Sequence, residues 1–277
     1  MPKITPKYAH SYDGIKIFYE VCVNKHPACL VFLHGLGGSL TAWSPEIQHF
    51  HTKGISTIAI DLLGHGNSDR PNNPDRYHFI NQARDVISVL KNERFENYML
   101  VGHCYGAVIA MIAASHHHKT PKGLIIIASA DYLPQYAKSI LKRRVVVVLL
   151  AFLKKYFPNI HLSGRTSYQK YKGRGDWYIP RLFEDMVHTS LKSYLFSFQN
   201  IVDLDIKGVI ENITVPTLVI ASGKDSIFPP QLSKDLAARI KNSILTIMPN
   251  ENHVVVINNP SRVNNAIDSF LKKIRFI

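Results

Sequence analysis

Residues 98–107 read YMLVGHCYGA, an apolar run that ends in two glycines set around a histidine, a cysteine and a tyrosine. Near-continuous apolar runs of this length belong to strands covered on both faces, as in a parallel sheet. Gly102 and Gly106 leave room for a sharp strand-to-helix turn, where the backbone is strained and the next helix passes close to the sheet. Cys104 would then stand at a helix N-terminus, whose partial positive charge favours a thiolate.

Working outward, runs of the same kind recur at ACLVFLHG (28–35), ISTIAID (55–61), GLIIIAS (123–129), PTLVIASG (216–223) and SILTIMP (243–249). Helical periods lie between them. In 75–92 the residues Phe79, Ala83, Val86, Ile87 and Leu90 share one stripe, and in 261–273 Val263, Ile267, Phe270 and Leu271 share another. Alternating strand and helix predicts an α/β architecture. The alternation breaks between about Asp131 and Asp203, where YLPQYAKSILKRR (132–144), VVVVLLAFL (145–153), a loop rich in Gly, Arg and Tyr (163–180) and helical-looking DMVHTSLKSYLFSF (185–198) occur. The expected organisation is a core domain of residues 1–130 and 204–277, with 131–203 inserted as a mostly helical cap.

Bulk properties narrow the class. A chain of 277 residues, 46% hydrophobic, can bury one substantial core, and a charged fraction of 19% without low-complexity segments predicts a globular protein. Lys and Arg outnumber Asp and Glu by 33 to 20, for a formal charge of +13. Such a balance suits anionic partners, but the basic residues are spread along the chain with no nucleic-acid module, so nucleic acid is not expected. Cys22, Cys29 and Cys104 lack metal-ligand or disulfide-framework spacing, which fits a reducing compartment. The N-terminal stretch has no apolar run of signal-peptide type, and no apolar stretch reaches the roughly 18 residues that a membrane span needs. A cytoplasmic location is expected; the oligomeric state stays open.

Ligands of open parallel sheets bind beyond the carboxyl ends of the strands. The residues just after the apolar runs are His34 to Gly38, Asp61 to Ser68, Gly102 to Gly106, Asp131, Asp225 and His253. Catalytic residue types therefore converge on one rim.

On these strings the chain resembles the α/β-hydrolase family over nearly its whole length. HGLGGS (34–39) resembles the family's oxyanion-hole loop, DLLGHGNSD (61–69) its D-x-x-G-x-G-x-S loop, and GHCYG (102–106) its nucleophile elbow with cysteine where serine is usual. GKDSIFPP (223–230) resembles the acid loop and ENHVV (251–255) the histidine loop. The resemblance implies a mostly parallel eight-stranded sheet flanked by helices, and an order of nucleophile, acid and histidine that this chain follows. It further implies Cys104 as nucleophile, His253 as base and Asp225 as the acid, with Asp131 as the competing acid one strand earlier. Backbone N–H groups of Leu36 and Tyr105 would receive an oxyanion, supported by His34, Gly35, Gly102, His103 and Gly106.

Cys104 admits three readings: a buried inert thiol, a replaced serine in a binding protein without turnover, or a working nucleophile as in dienelactone hydrolases and polyhydroxyalkanoate synthases of this fold. The flanking glycines argue against the first, and the third is preferred. A thiolate is a good nucleophile but also a good leaving group, which points to small-molecule esters, lactones and thioesters rather than amides. No metal or organic cofactor is required. An acyl-cysteine could pass its acyl group to water or to another acceptor, and a non-catalytic protein binding a small hydrophobic ligand is the alternative of a different class.

The run 145–153, flanked by Lys142, Arg143, Arg144, Lys154 and Lys155, reads as a cap helix packed on the core. Its functional reading is a lid that admits medium or longer acyl chains or makes peripheral contact with an anionic membrane surface. His116 to His118 read as an ordinary helix end, and the tripeptide RGD (174–176) as a coincidence. Cys22 and Cys29 read as packing thiols, and Asp203 and Asp205 as residues closing the insertion.

Overall fold

The apolar runs become strands because their β-branched side chains can be buried on both faces at once. In the computed structural model, which describes residues 3–116, 120–135, 139, 152–153, 159, 161–162 and 166–277, eight strands form one sheet. They are β1 (Thr5–His10), β2 (Lys16–Cys22), β3 (His26–Leu33), β4 (Ile55–Ile60), β5 (Asn97–His103), β6 (Gly123–Ile127), β7 (Thr217–Ser222) and β8 (Ser243–Met248). Their spatial order is β1-β2-β4-β3-β5-β6-β7-β8. β1 and β2, and β2 and β4, pair antiparallel; every other pairing is parallel.

Helices cover both faces. On one side lie α1 (Ser44–Thr52) and the C-terminal helix Pro260–Lys273; on the other lie α2 (Phe79–Glu93), α3 (Tyr105–His116) and the helix Pro230–Arg239. The expected stripes face inward: Phe79, Ala83, Val86 and Leu90 are buried with Ile87 half-buried, and Val263, Ile267, Phe270 and Leu271 are all buried.

Two helices of the inserted segment are described, α4 (Ile179–Thr189) and α5 (Leu191–Val202). The stretch 185–198 is not one helix, because Ser190 takes φ +75 and ends α4 while its hydroxyl accepts the Ser193 N–H to start α5. The two ends of the segment meet where Tyr132 bridges Asp205 and the Ile206 N–H donates to the Asp131 carbonyl. Asp203 caps the end of α5. Residues 140–151 and 154–158 lie outside the described residues, and with them most of the apolar run and its basic flanks. His117 and His118 lie outside them too.

α4 is turned inside out relative to an ordinary surface helix. Arg181, Asp185 and Thr189 are buried, whereas Ile179 is 75% and Phe183 61% exposed. Leaving two such apolar side chains in water forgoes about 1.5–3 kcal/mol each. Among the described residues, no helix is long and apolar enough to cross a membrane.

Candidate active site

Cys104 sits between the end of β5 and the start of α3 with φ +52, a left-handed conformation that is strained for a residue with a side chain. Its surroundings hold it there. The Cys104 N–H donates to the Ile127 carbonyl at 3.0 Å, and the Ser129 hydroxyl donates to the Cys104 carbonyl at 2.9 Å. A Cβ at Gly106 would lie 2.4 Å from the Leu33 carbonyl oxygen, and one at Gly102 would lie 2.4 Å from the Ala107 Cα, so neither position accepts a side chain. Cys104 is 7% exposed and lines a cavity, so the residue is neither sealed off nor on the open surface.

His253 follows β8 and faces the same point. Its Nδ1 donates to Asp225 Oδ2 at 2.8 Å, and its ring lines the same cavity wall as Cys104. The other carboxylate oxygen of Asp225 accepts the N–H groups of Ile227 at 2.9 Å and Phe228 at 2.8 Å, so the acid cannot swing away without breaking three bonds. Burial alone would push the His253 imidazole towards neutrality; its interactions with Cys104 and Asp225 outweigh it and raise the pKa to about 10. Asp131, the competing acid, is instead paired with Arg239, whose Nε lies 3.1 Å from Asp131 Oδ2.

The neighbouring histidines act as braces. His103 donates from Nε2 to the His253 carbonyl at 2.8 Å, and burial with the adjacent His253 charge lowers its pKa to about 3, so it stays neutral. A Cβ at Gly35 would come within 2.9 Å of the His103 ring. His34 donates from Nδ1 to the Gly35 carbonyl and accepts the Leu62 N–H on Nε2; burial lowers its pKa to about 4. In the loop after β3, the Gly37 N–H donates to His65 Nε2 at 3.1 Å and the Gly38 N–H to the Gly35 carbonyl at 3.0 Å. The Leu36 N–H and the Tyr105 N–H, at the first position of α3, donate to no described backbone carbonyl. The Tyr105 side chain points into the core, hydrogen-bonded to Gln82.

Several participants come from the insertion and carry no sequence signature of their own. Asp176, the last residue of the RGD tripeptide, accepts the His253 N–H at 2.8 Å and the Ser226 N–H and hydroxyl at 3.0 and 2.8 Å. Asn252 and Asn258 both donate to the Arg174 carbonyl, so the asparagine before His253 anchors the histidine loop to the insertion. The cavity above Cys104 encloses about 160 Å³ and is lined largely by apolar groups, among them Leu36, Leu182, Phe198, Ile201 and Phe228, with Tyr194 and Arg181 as polar members. A larger depression of about 410 Å³ between β8 and the C-terminal helix contains none of these groups. Among the described residues, no three His, Cys, Asp or Glu side chains are gathered as metal ligands.

The fold agrees with comparisons to known proteins. Residues 29–260 match the family model described as the alpha/beta hydrolase fold. The AB hydrolase superfamily protein YisY of Bacillus subtilis is 24% identical over 95% of this chain and 98% of its own length. The uncharacterized hydrolase YugF of the same organism is 23% identical over 98% of this chain and all of its own. Among solved structures, an esterase from Exiguobacterium antarcticum superposes with a TM-score of 0.77 at 18% identity, covering 97% of this chain and 100% of that one. The enol-lactonase from Burkholderia xenovorans LB400 superposes with a TM-score of 0.74 at 19% identity over 96% of this chain and 100% of that one.

Proposed function

The chain belongs to the α/β-hydrolase fold family, and from that membership we propose that it is an acyl hydrolase that cleaves small carboxylic ester, lactone or thioester substrates through an acyl-cysteine. The observation that carries the reading is the aligned trio of Cys104, His253 and Asp225, with the thiol at a strained turn and at the wall of a cavity. Esterases and an enol-lactonase among the structural neighbours are compatible with that substrate class.

In this reading His253 holds the proton of Cys104, and the thiolate attacks the substrate carbonyl carbon. The carbonyl oxygen gains the negative charge and is met by the Leu36 and Tyr105 N–H groups, which donate to no described backbone carbonyl. The intermediate collapses, the C–O or C–S bond to the leaving group breaks, and His253 passes its proton to the departing alkoxide or thiolate. Water then gives a proton to His253 as its oxygen attacks the thioester, and the acid leaves with Cys104 restored. Asp225 keeps the imidazole in the orientation and tautomer that both steps need. The described residues Trp177, Leu182, Tyr194 and Phe198 of the inserted segment serve as its share of the cavity wall. A cavity of about 160 Å³ lies below the range of roughly 300–1,000 Å³ that suits drug-sized ligands, which favours a compact acyl group over the medium or longer chain expected from the sequence.

Intact-mass spectrometry after exposure to p-nitrophenyl esters of graded acyl length tests the reading. The expected result is turnover with a transient acyl adduct that disappears in Cys104→Ala. Absence of both adduct and turnover across the series would leave a ligand-binding protein of the same fold and overturn the proposal.

A further inference from the structure

The cavity above Cys104 opens at a tryptophan. Trp177 lines it together with Ile227 yet is 65% exposed, so the indole stands at the mouth with most of its surface outside. It is also held in place. Its Nε1 donates to the Ser226 hydroxyl at 2.9 Å, and that hydroxyl donates to Asp176 Oδ2 at 2.8 Å, on the carboxylate whose other oxygen accepts the His253 N–H. From the inner side Arg181 donates through Nη2 to the Asp176 carbonyl at 2.6 Å, with its Nη1 on Asp185 Oδ2 at 2.9 Å. The neighbouring aromatic residue is treated differently. Tyr178 meets Tyr171 edge-on with ring centres 6.0 Å apart and lies under the Arg174 guanidinium at 5.1 Å, whereas no described ring or cation covers Trp177. A large apolar surface that is pinned and left bare suits a ligand, because its rotamer is already restricted and little entropy is lost on contact.

We propose that Trp177 is the platform for the leaving group, so that the alcohol or thiol half of the substrate is aromatic: the enzyme takes benzyl-type esters of short acids. The inference rests on the acyl-hydrolase reading and deepens it by naming the half of the substrate that the cavity does not enclose. A space of about 160 Å³ beside Cys104 takes a compact acyl group. The bond to be cleaved then lies near the sulfur, and the departing half points towards the mouth, where the indole meets it. Stacked or edge-to-face contact between two rings adds to what their buried area contributes.

The test compares benzyl acetate with ethyl acetate, whose alcohols are similarly poor leaving groups. The expected kcat/KM favours the benzyl ester, and Trp177→Ala costs that ester about fivefold or more beyond its cost to the ethyl ester, with Trp177→Phe, which keeps a ring but not the N–H, restoring part of the difference. Equal losses on both esters, or a wild-type preference for the ethyl ester, would overturn the platform and leave a side chain that only secures Ser226. A second measurement needs no turnover. The chain has two tryptophans and Trp43 is fully buried, so quenching of the intrinsic fluorescence by acrylamide reads Trp177. Benzyl alcohol, but not ethanol at the same concentration, is expected to protect it. Protection without hydrolysis of any ester would sink the hydrolase reading and keep the aromatic-binding surface. Hydrolysis of both esters without selective protection would do the reverse.

Discussion

In the proposed mechanism the chemistry turns on His253, whose charge depends on its neighbours. Burial disfavours the imidazolium, yet Cys104 and Asp225 raise the pKa from 6.5 to about 10. A pKa raised on folding contributes stability that is fully present below the unfolded value near 6.5 and is lost as pH rises through about 10. Removing the sulfur removes the largest favourable cause, so the His253 imidazole of Cys104→Ala should titrate at lower pH than that of the wild type. Imidazole resonances followed by NMR would show the ring losing its proton at lower pH in the variant than in the wild type; coincident curves would refute the coupling between the imidazole and the sulfur. Asp131 shows the limit of reading such residues one by one. Its place after a strand is as suggestive as that of Asp225, but its carboxylate meets Arg239, 108 positions away, while that of Asp225 meets His253.

At the scale of the element, the elbow between β5 and α3 was legible because its requirement is steric and local. Glycines at 102 and 106 are demanded by the backbone itself, since the missing Cβ atoms would occupy space held by Ala107 and Leu33. Gly106→Ala should therefore cost more than about 3 kcal/mol in chemical denaturation or prevent folding, whereas Ser129→Ala, which loses one buried hydrogen bond to the elbow, should cost about 1–3 kcal/mol. A well-folded Gly106→Ala protein would contradict the close approach. The parallel strands were legible for a similar reason, as burial on both faces writes a continuous apolar run. β1 and β2 carry no such run: β1 is mostly exposed and β2 includes Lys16 and Glu20, so pairing along the sheet edge, not burial alone, makes them strands. The break at Ser190 was equally hidden, because a serine with positive φ looks in sequence like any helical serine.

Across the whole molecule, the inserted segment and the core share the site. Sequence pattern located the core loops but not the fasteners from the insertion, because Asp176 and Arg174 reach the histidine loop through contacts 77 and 78 positions away in the chain. Arg70 ties α4 to the core by donating to the His188 and Thr189 carbonyls, and the Thr189 hydroxyl donates to the Gly37 carbonyl. Asp176→Ala releases the His253 N–H and Ser226 together. The expected result is a kcat lower by about 10²-fold with a folded protein, accompanied by faster amide exchange at His253. Unchanged exchange and unchanged kcat would show that the histidine loop stands without the insertion. The reversed polarity of α4 has one more consequence. Its oily outer flank, Ile179 and Phe183, lines neither the cavity nor the core, so that skin can be redecorated freely while the inward pair of charges stays under constraint.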